Sequence, residues 1–422
     1  MAAKHYQQHH FLIVTYPAQG HITPARHLAR RLGSVCRGAR VTICAPLSAF
    51  RKMFPGAAGV TVTEEECGDG DAKVKYVAYS DGYDGGFDIA VDSYARYMEQ
   101  ARMAGSRSLA GVLRRLRDDG RPVTCAVYTL LLPWVAGVAR DHGVAATAVF
   151  WIQPATALTA YYHYFRGHRD AVVAAAASGD PCAEVGLPGL PPLRVRDLPS
   201  FLAVTSEDDP FAFVLPEFGE LVDALERDDG SSEHPTYVLA NTCDAMEPDA
   251  LASLRPHVDV FPVKRPFLLV LRKDSRKGHD DDAVAAADAD SAGGMVVEWC
   301  DQARVLSHPA VACFVTHCGW NSTLESAACG VPTVAVPQYS DQGTAAWLVA
   351  ERMGTGVRAA ARADGVVEAQ ELRRCVEAAA SGAVAARAAA WKRKAWAAVA
   401  DGGSSHRNLT EFLRQIGHGR GD

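Results

Sequence analysis

The chain has 422 residues, of which 48% are hydrophobic and 22% are charged, and its net charge is −6 at pH 7. This length exceeds one ordinary domain and predicts two or three. The small negative charge argues against a nucleic-acid partner, because phosphate binding needs concentrated Lys and Arg. The longest apolar run, near residues 129–139, is interrupted by Pro133, so no integral membrane segment is expected.

The apolar run at residues 11–16 is too short for the core of a signal peptide. The 11 cysteines are scattered, lack the spacing of zinc sites, and are interpreted as reduced, mostly buried thiols. Residues 280–282 are three consecutive Asp, which we interpret as a solvated acidic loop rather than a metal-binding DxD site. We expect a cytoplasmic protein that acts as a monomer and needs no metal.

In the first 260 residues, short apolar runs alternate with helical patterns, which is typical of a parallel α/β sheet. The predicted strands are residues 11–16, 41–45, 74–79, 124–128, 146–150 and 237–241. The predicted helices are residues 24–32, 94–117, 132–142 and 154–165. Residues 183–199 are rich in Pro, Gly and Leu and are expected to form a loop.

A second α/β run follows, with predicted strands at residues 267–271, 295–298, 313–315, 333–336 and 356–358. Residues 273–294 are acidic and Ala-rich and predict a mobile loop, and helices are expected at residues 384–399 and 407–416. Two such sheets in series predict two lobes, with a ligand-binding cleft at the carboxyl ends of the strands. A Rossmann-fold oxidoreductase is disfavoured, because no GxGxxG follows a strand in either half.

The most informative stretch of the sequence is a turn at Gly319, which joins a predicted strand to a predicted helix. Ser322 and Glu325 fit the S-x-x-E capping box at the start of that helix. A helix N-terminus binds phosphate through free N–H groups, and His317 and Asn321 add side-chain donors there. The turn is interpreted either as a diphosphate cradle or as the start of a capped core helix.

Asp341 and Gln342 follow the next predicted strand. A carboxylate and an amide side by side can bind adjacent sugar hydroxyls, although an Asp-Gln pair alone is more often part of a turn. Their place beyond the carboxyl end of a strand favours the sugar-binding interpretation.

The segment from Trp299 to Gln342 resembles, over all of its 44 positions, the signature box of the plant family 1 UDP-glycosyltransferases. The resemblance implies the GT-B fold, an α/β architecture of two Rossmann-like lobes facing across a cleft, with UDP-glucose as co-substrate. It implies the following donor contacts: Trp299 and Gln302 at the nucleoside, with Trp299 stacked on uracil; Glu325 at the ribose; His317, Gly319, Asn321 and Ser322 at the diphosphate; and Trp320, Asp341 and Gln342 at the sugar.

Residues 17–24 resemble the family's first loop, in which His21 is the general base. A neutral imidazole can take the proton of an acceptor hydroxyl, and the acceptor then attacks the anomeric carbon with inversion. A lone His after a strand would otherwise be structural. Where the family usually has an Asp that orients this base, the chain has Thr129, which can orient the ring but supplies no charge.

The resemblance extends to residues 80–84, 122–135, 150–155 and 187–202. These segments are similar to the branch that contains anthocyanin 5-O-glucosyltransferases and glucosyltransferases for auxin-like and other small acids. The implied activity is inverting, UDP-glucose-dependent O-glucosylation of a small lipophilic plant metabolite: a flavonoid, a phenolic acid or a hormone.

Residues 258–263 look like the family's last N-lobe segment, and residues 265–272 look like the second strand of its C-lobe. The resemblance therefore implies that the linker, the first C-lobe strand with its Phe-Gly-Ser turn, and the first C-lobe helix are missing after Val263. The expected domains are an acceptor-binding lobe (1–263), a UDP-sugar-binding lobe (264–405) and a C-terminal helix and tail that pack on the N-lobe (406–422). The alternative function is a catalytically impaired protein that binds a nucleotide or small molecule without turnover.

Overall fold

The computed structural model describes residues 9–36, 38–56, 63–66, 73–204, 206, 209, 211–226, 236–263, 300–362 and 364–418. The chain forms two compact units. The first comprises Met1–Arg265, Tyr339–Ala345 and Trp396–Asp422, and the second comprises Pro266–Gln338 and Ala346–Ala395. Within the described residues, no helix is long and apolar enough to cross a membrane.

The first unit is built on an eight-stranded sheet. Its strands, in chain order, are β1 His10–Val14, β2 Arg40–Pro46, β3 Thr63–Glu66, β4 Lys73–Tyr79, β5 Cys125–Thr129, β6 Ala146–Trp151, β9 Thr236–Ala240 and β10 Val260–Pro262. The spatial order is β10-β9-β6-β5-β1-β2-β4-β3, and every pair is parallel except β3 with β4. Strands β1, β5 and β6 are buried along their whole length, as expected for the centre of a parallel sheet.

Helices connect these strands and continue through the second unit. In chain order they are α1 Gln19–Val35, α2 Leu47–Met53, α3 Tyr94–Asp118, α4 Trp134–Asp141, α5 Ala155–His163, α6 Arg169–Ala177, α7 Val214–Leu225, α8 Pro248–Leu254, α9 Gln302–Leu306, α10 Trp320–Cys329, α11 Gln342–Trp347, α12 Ala369–Ala379, α13 Gly382–Val399 and α14 Ser404–His418. A kink with non-helical backbone at Arg166 and Gly167 separates α5 from α6, and a π-helical turn at Leu348–Arg352 follows α11.

The second unit has a parallel sheet with the described strands β11 Phe314–Thr316, β12 Thr333–Ala335 and β13 Gly356–Arg358 in that spatial order. These lie where the sequence predicts them. The other two predicted strands, at residues 267–271 and 295–298, and the predicted mobile loop at 273–294 lie outside the described residues.

The C-terminal helix α14 packs on the sheet of the first unit. The ring of Phe412 lies 5.6 Å from that of Tyr237 and 5.8 Å from that of Phe261, measured between ring centroids. The amide of Asn408 donates hydrogen bonds to the Asp244 carboxylate at 2.9 Å and to the Pro262 carbonyl at 3.1 Å. This helix therefore covers the edge of the sheet that ends with β10.

Two expectations about local structure are wrong. Residues 183–199 contain a short antiparallel ribbon, β7 Glu184–Val185 with β8 Leu193–Arg194, and a 3-10 turn at Val195–Asp197. Helix α1 begins at Gln19 and not at Pro24, which lies inside the helix. The earlier start places His21 on the first helical turn, directly after the loop that follows β1.

Candidate functional site

His21 and Thr129 are brought together because β1 and β5 are neighbours in the sheet. Thr129 is the last residue of β5 and is fully buried. Its Oγ1 lies 2.9 Å from Nδ1 of His21 and also accepts the backbone N–H of Tyr16 at 3.1 Å. One lone pair of the Thr oxygen is used by Tyr16, and the second can accept Nδ1–H. In the tautomer that donates Nδ1–H to Thr129, Nε2 of His21 is unprotonated and can accept a proton, as a general base requires.

The electrostatic setting of His21 differs from that of a His–Asp pair. The ring is partly exposed at the end of the loop, and burial lowers the pKa of His21 to about 3. Thr129 contributes a dipole but no charge to oppose this shift. His21 is therefore neutral over the whole physiological range, and it can accept a proton only as a weak base.

Tyr16 is a site residue that the sequence analysis missed. It follows β1, and its ring lies 5.1 Å from that of His21 and 5.7 Å from that of Tyr97. Tyr97 is buried and donates a hydrogen bond from its hydroxyl to Oδ2 of the buried Asp81 at 2.9 Å. The available signal was an aromatic residue at the last position of the predicted strand 11–16, directly before the loop that contains His21.

The predicted phosphate-binding turn joins β11 to α10 in the second unit. Helix α10 begins at Trp320 with Gly319 as its N-cap, and no side chain caps it. The predicted capping box is therefore wrong, because Ser322 lies in the third helical position and Glu325 faces another partner. Gly319 at the N-cap offers no side chain to the N-terminal N–H groups of α10, and helix N-termini of this kind can bind an anion.

The shape of this turn depends on two residues. Cys318 has a positive φ of 60°, and its N–H donates to Oγ1 of Thr316 at 3.2 Å. A Cβ on Gly319 would lie 2.5 Å from Nε2 of His317, so any side chain at position 319 would force this imidazole to move. Burial lowers the pKa of His317, which keeps its ring neutral and able to donate one hydrogen bond.

Three of the predicted donor-binding residues contact one another. Nε2 of Gln302 in α9 donates to the Glu325 carboxylate at 2.6 Å and lies 3.5 Å from Oγ of Ser322. Glu325 and Ser322 are both buried, whereas Gln302 and Asn321 are partly exposed and Trp320 is buried. Trp299, the predicted uracil-stacking residue, lies outside the described residues.

Asp341 and Gln342 lie in a segment, Tyr339–Ala345, that belongs to the first unit. Gln342 opens α11, and its Oε1 accepts the N–H of Tyr339 at 3.2 Å. The neighbouring Ser340 has a φ of 62° and exchanges two hydrogen bonds with Ser200: its N–H donates to Oγ at 2.7 Å, and its carbonyl accepts the Ser200 N–H at 2.9 Å. These contacts fix the backbone that carries both side chains.

The Asp341 carboxylate is buried without full compensation. Its Oδ2 has no hydrogen-bond partner among the described residues. Burial raises the pKa of Asp341 to about 7, and a hydrogen bond from Ser340 only partly opposes the shift. Since buried polar atoms are nearly always paired, an unpaired carboxylate oxygen at this position indicates a place for a ligand donor such as a sugar hydroxyl.

Comparisons with known proteins relate the whole chain to one family. Residues 283–376 match the family model described as UDP-glucoronosyl and UDP-glucosyl transferase. UDP-glycosyltransferase 75C1 of Solanum lycopersicum is 37% identical, with 97% of this chain and 99% of that protein aligned. Anthocyanidin 3-O-glucoside 5-O-glucosyltransferase 1 of Perilla frutescens is 34% identical, with 96% of this chain and 98% of that protein aligned. The crystal structure of Os79 from O. sativa in complex with U2F and trichothecene is 26% identical, with a TM-score of 0.77, and the match covers 96% of this chain and 100% of that one.

The alignment with the tomato protein runs over 483 positions, so at least 61 of them have no residue from this 422-residue chain. This chain therefore lacks segments that its relative has. The identity nevertheless extends over nearly the whole of both chains, and the solved structure shares the fold along its full length. The chain belongs to the plant family 1 UDP-glycosyltransferases, in the branch that includes UDP-glycosyltransferase 75C1 and anthocyanidin 5-O-glucosyltransferases.

Proposed function

We propose that this enzyme transfers glucose from UDP-glucose, with inversion, to a hydroxyl group of a small lipophilic plant metabolite: a flavonoid, a phenolic acid or a hormone. The observation that carries the proposal is the 2.9 Å contact between Nδ1 of His21 and Oγ1 of Thr129. When Nδ1 carries the proton and donates it to this oxygen, Nε2 is free to accept a proton from the acceptor hydroxyl.

In the proposed reaction, Nε2 of His21 takes the proton of the acceptor hydroxyl. The electron pair of the broken O–H bond forms the new bond from oxygen to the anomeric carbon. The bond between that carbon and the diphosphate breaks on the opposite face, and UDP leaves with its electron pair. Inversion follows from attack opposite the leaving group.

For the donor, we propose that the N-terminus of α10 holds the diphosphate together with His317, Asn321 and Ser322. Glu325 takes the ribose hydroxyls, Gln302 and Trp299 take the nucleoside, and Asp341 with Gln342 takes the glucose. The unpaired Oδ2 of Asp341 supports the last assignment, because a sugar hydroxyl would supply the missing donor.

The first unit also offers an apolar surface for the acceptor. Beyond Tyr16 and Tyr97, aromatic rings continue at centroid separations of 5.0 to 6.4 Å, and several are partly exposed. The members of this series are Tyr83, Phe87, Tyr94, Phe211, Phe213 and Tyr339. Partly exposed rings in a continuous series are typical of a binding surface for an apolar or aromatic ligand. The relative from Perilla frutescens, an anthocyanidin 3-O-glucoside 5-O-glucosyltransferase, supports an aromatic acceptor of this kind.

A second candidate function, binding of a nucleotide or small molecule without turnover, is favoured by the alignment positions that this chain lacks. The two functions are separated by measuring UDP release from UDP-glucose with a panel of flavonoids, phenolic acids and plant hormones, alongside UDP binding by calorimetry. Acceptor-dependent UDP release supports the transferase. UDP binding with no release for any acceptor supports the second function.

A further inference from the structure

Asp81 is a buried carboxylate that has no part in the proposed reaction. Its Oδ1 accepts the N–H of Tyr83 at 3.0 Å, which forms a local turn. The turn needs only this one oxygen. The second oxygen, Oδ2, accepts a hydrogen bond from the hydroxyl of Tyr97. Tyr97 lies in the first turn of α3 and is itself buried. Burying a carboxylate is costly, so the second hydrogen bond of Asp81, to Tyr97, indicates a role for Asp81 beyond the local turn.

The ring of Tyr16 lies between Tyr97 and His21 and contacts both. The Tyr97 ring packs against the edge of Tyr16 at 83° and 5.7 Å, and Tyr16 packs on His21 at 5.1 Å. The backbone of Tyr16 is fixed separately, by its hydrogen bond to Thr129. The same hydroxyl group contacts Nδ1 of His21. The imidazole of His21 is therefore contacted at Nδ1 by Thr129 and beside its ring by Tyr16, which in turn packs against Tyr97.

We propose that Asp81 and Tyr97 are positioning residues for the general base: they hold Tyr16, and Tyr16 holds the ring of His21 in the orientation that points Nε2 at the acceptor. This inference rests on the proposed function, in which His21 is the base. A family member with an Asp at position 129 would fix the imidazole by a charged hydrogen bond. Thr129 makes only a neutral one, so the orientation depends more on packing.

The test uses the Tyr97→Phe variant, which keeps the ring and removes the hydroxyl that binds Asp81. Tyr76→Phe is the matched control, because Tyr76 is as buried as Tyr97 and its hydroxyl accepts a hydrogen bond from Nε of Arg26 at 3.1 Å. Both are assayed at pH 9 with 4-methylphenol, which is mostly protonated and needs a base, and with 4-nitrophenol, which is already ionised and does not. Asp81→Asn is a second variant at the other end of the same hydrogen bond.

We expect Tyr97→Phe to lower kcat for 4-methylphenol about 10-fold, a fraction of the 10²–10⁴-fold that a positioned base contributes. The rate with 4-nitrophenol and the KM for UDP-glucose should change less than about 2-fold, as should every rate of Tyr76→Phe. A loss of stability or active fraction would lower both rates equally. Equal losses with the two phenols, or no loss with either, would overturn the inference.

A readout without turnover separates this inference from the proposed function. If the parent protein transfers sugar to neither phenol, the proposed function fails with these acceptors, and the imidazole ¹⁵N signals of His21 then decide. They are assigned by their loss in His21→Gln. We expect the Nδ1–H tautomer in the parent and a mixture of tautomers in Tyr97→Phe. Identical ¹⁵N shifts in the two proteins would contradict the positioning role.

Discussion

The proposed base site at His21 and the proposed sugar-binding segment at Asp341 differ in how their polar groups are paired. Around His21, the Thr129 oxygen contacts both Nδ1 of the ring and the N–H of Tyr16. Around Asp341, the backbone is fixed by Ser200 but one carboxylate oxygen is buried without a partner. The polar groups of the first site are paired within the protein, whereas one carboxylate oxygen of the second has no partner among the described residues. The two sites should therefore respond differently to substitution and to pH.

The largest expected effect is at the base. We expect His21→Ala to lower kcat for 4-methylphenol by about 10³-fold, because the protonated acceptor loses its base. UDP affinity, measured by calorimetry, should stay within about 2-fold, since no proposed nucleotide contact involves His21. Turnover of 4-methylphenol at a near-parental rate would show that another group takes the proton.

The next largest effect is expected for Asp341→Asn, in the proposed sugar-binding segment. The carboxylate is the proposed acceptor of sugar hydroxyls, and we expect the KM for UDP-glucose to rise at least about 10-fold while UDP affinity changes little. Equal KM values for variant and parent would contradict the assignment of Asp341 to the sugar.

The same variant should be more stable than the parent at high pH. The pKa of Asp341 is raised to about 7 by burial, so the folded state favours the protonated carboxyl. Its ionisation therefore destabilises the fold, beginning above the ordinary pKa of 3.8 and fully above about 7. We expect Asp341→Asn to raise the unfolding free energy of the ligand-free protein at pH 8 by up to about 4 kcal/mol, which is seen as a higher Tm. At pH 4 the Tm should be unchanged. A lower Tm at pH 8 would show that the ionised carboxylate is compensated.

A smaller effect is expected at Thr129. Thr129→Ala removes a hydrogen bond of about 1 kcal/mol to the imidazole, which corresponds to about a 5-fold loss in kcat with 4-methylphenol. Thr129→Ser keeps the hydroxyl and is the control, with a rate within about 2-fold of the parent. If the two variants lose activity equally, the loss comes from packing at β5 and not from the hydrogen bond.

Much of the sheet could be predicted because its central strands are short, continuous apolar runs. The runs at residues 125–129 and 146–151 are buried on both faces, so they carry a clear signal without alternation. Local signals failed where tertiary contacts overrode them. Pro24 was interpreted as the start of a helix that begins five residues earlier, and Glu325 was assigned to a capping box although it pairs with Gln302.

The candidate site could be predicted only in part from the sequence, because its contacts depend on the tertiary structure. The resemblance to the family named His21 and Thr129, but only the pairing of β1 with β5 shows that they touch. Tyr16, Tyr97 and Asp81 come from three segments whose proximity has no local signature. The unpaired oxygen of Asp341 is likewise a property of burial, which composition and spacing do not reveal.

The smallest expected effect concerns pH, and it sharpens the comparison between the two sites. An ordinary His base protonates near pH 6.5, so its rate falls as the pH drops through that value. Burial lowers the pKa of His21 to about 3, and Thr129 provides no charge to raise it, so the ring stays neutral from pH 8 down to pH 5. With UDP-glucose at saturation, kcat for 4-methylphenol should therefore change by less than about 2-fold between pH 5 and pH 8. The KM for UDP-glucose should instead rise as the pH falls below about 7, because Asp341 becomes protonated and loses acceptor capacity. The control is Asp341→Asn, in which the KM should no longer vary with pH across this range. A kcat that falls 10-fold between pH 7 and pH 5 would mean that the imidazole titrates near its ordinary pKa, and that a charge absent from the His21–Thr129 contact supports the base.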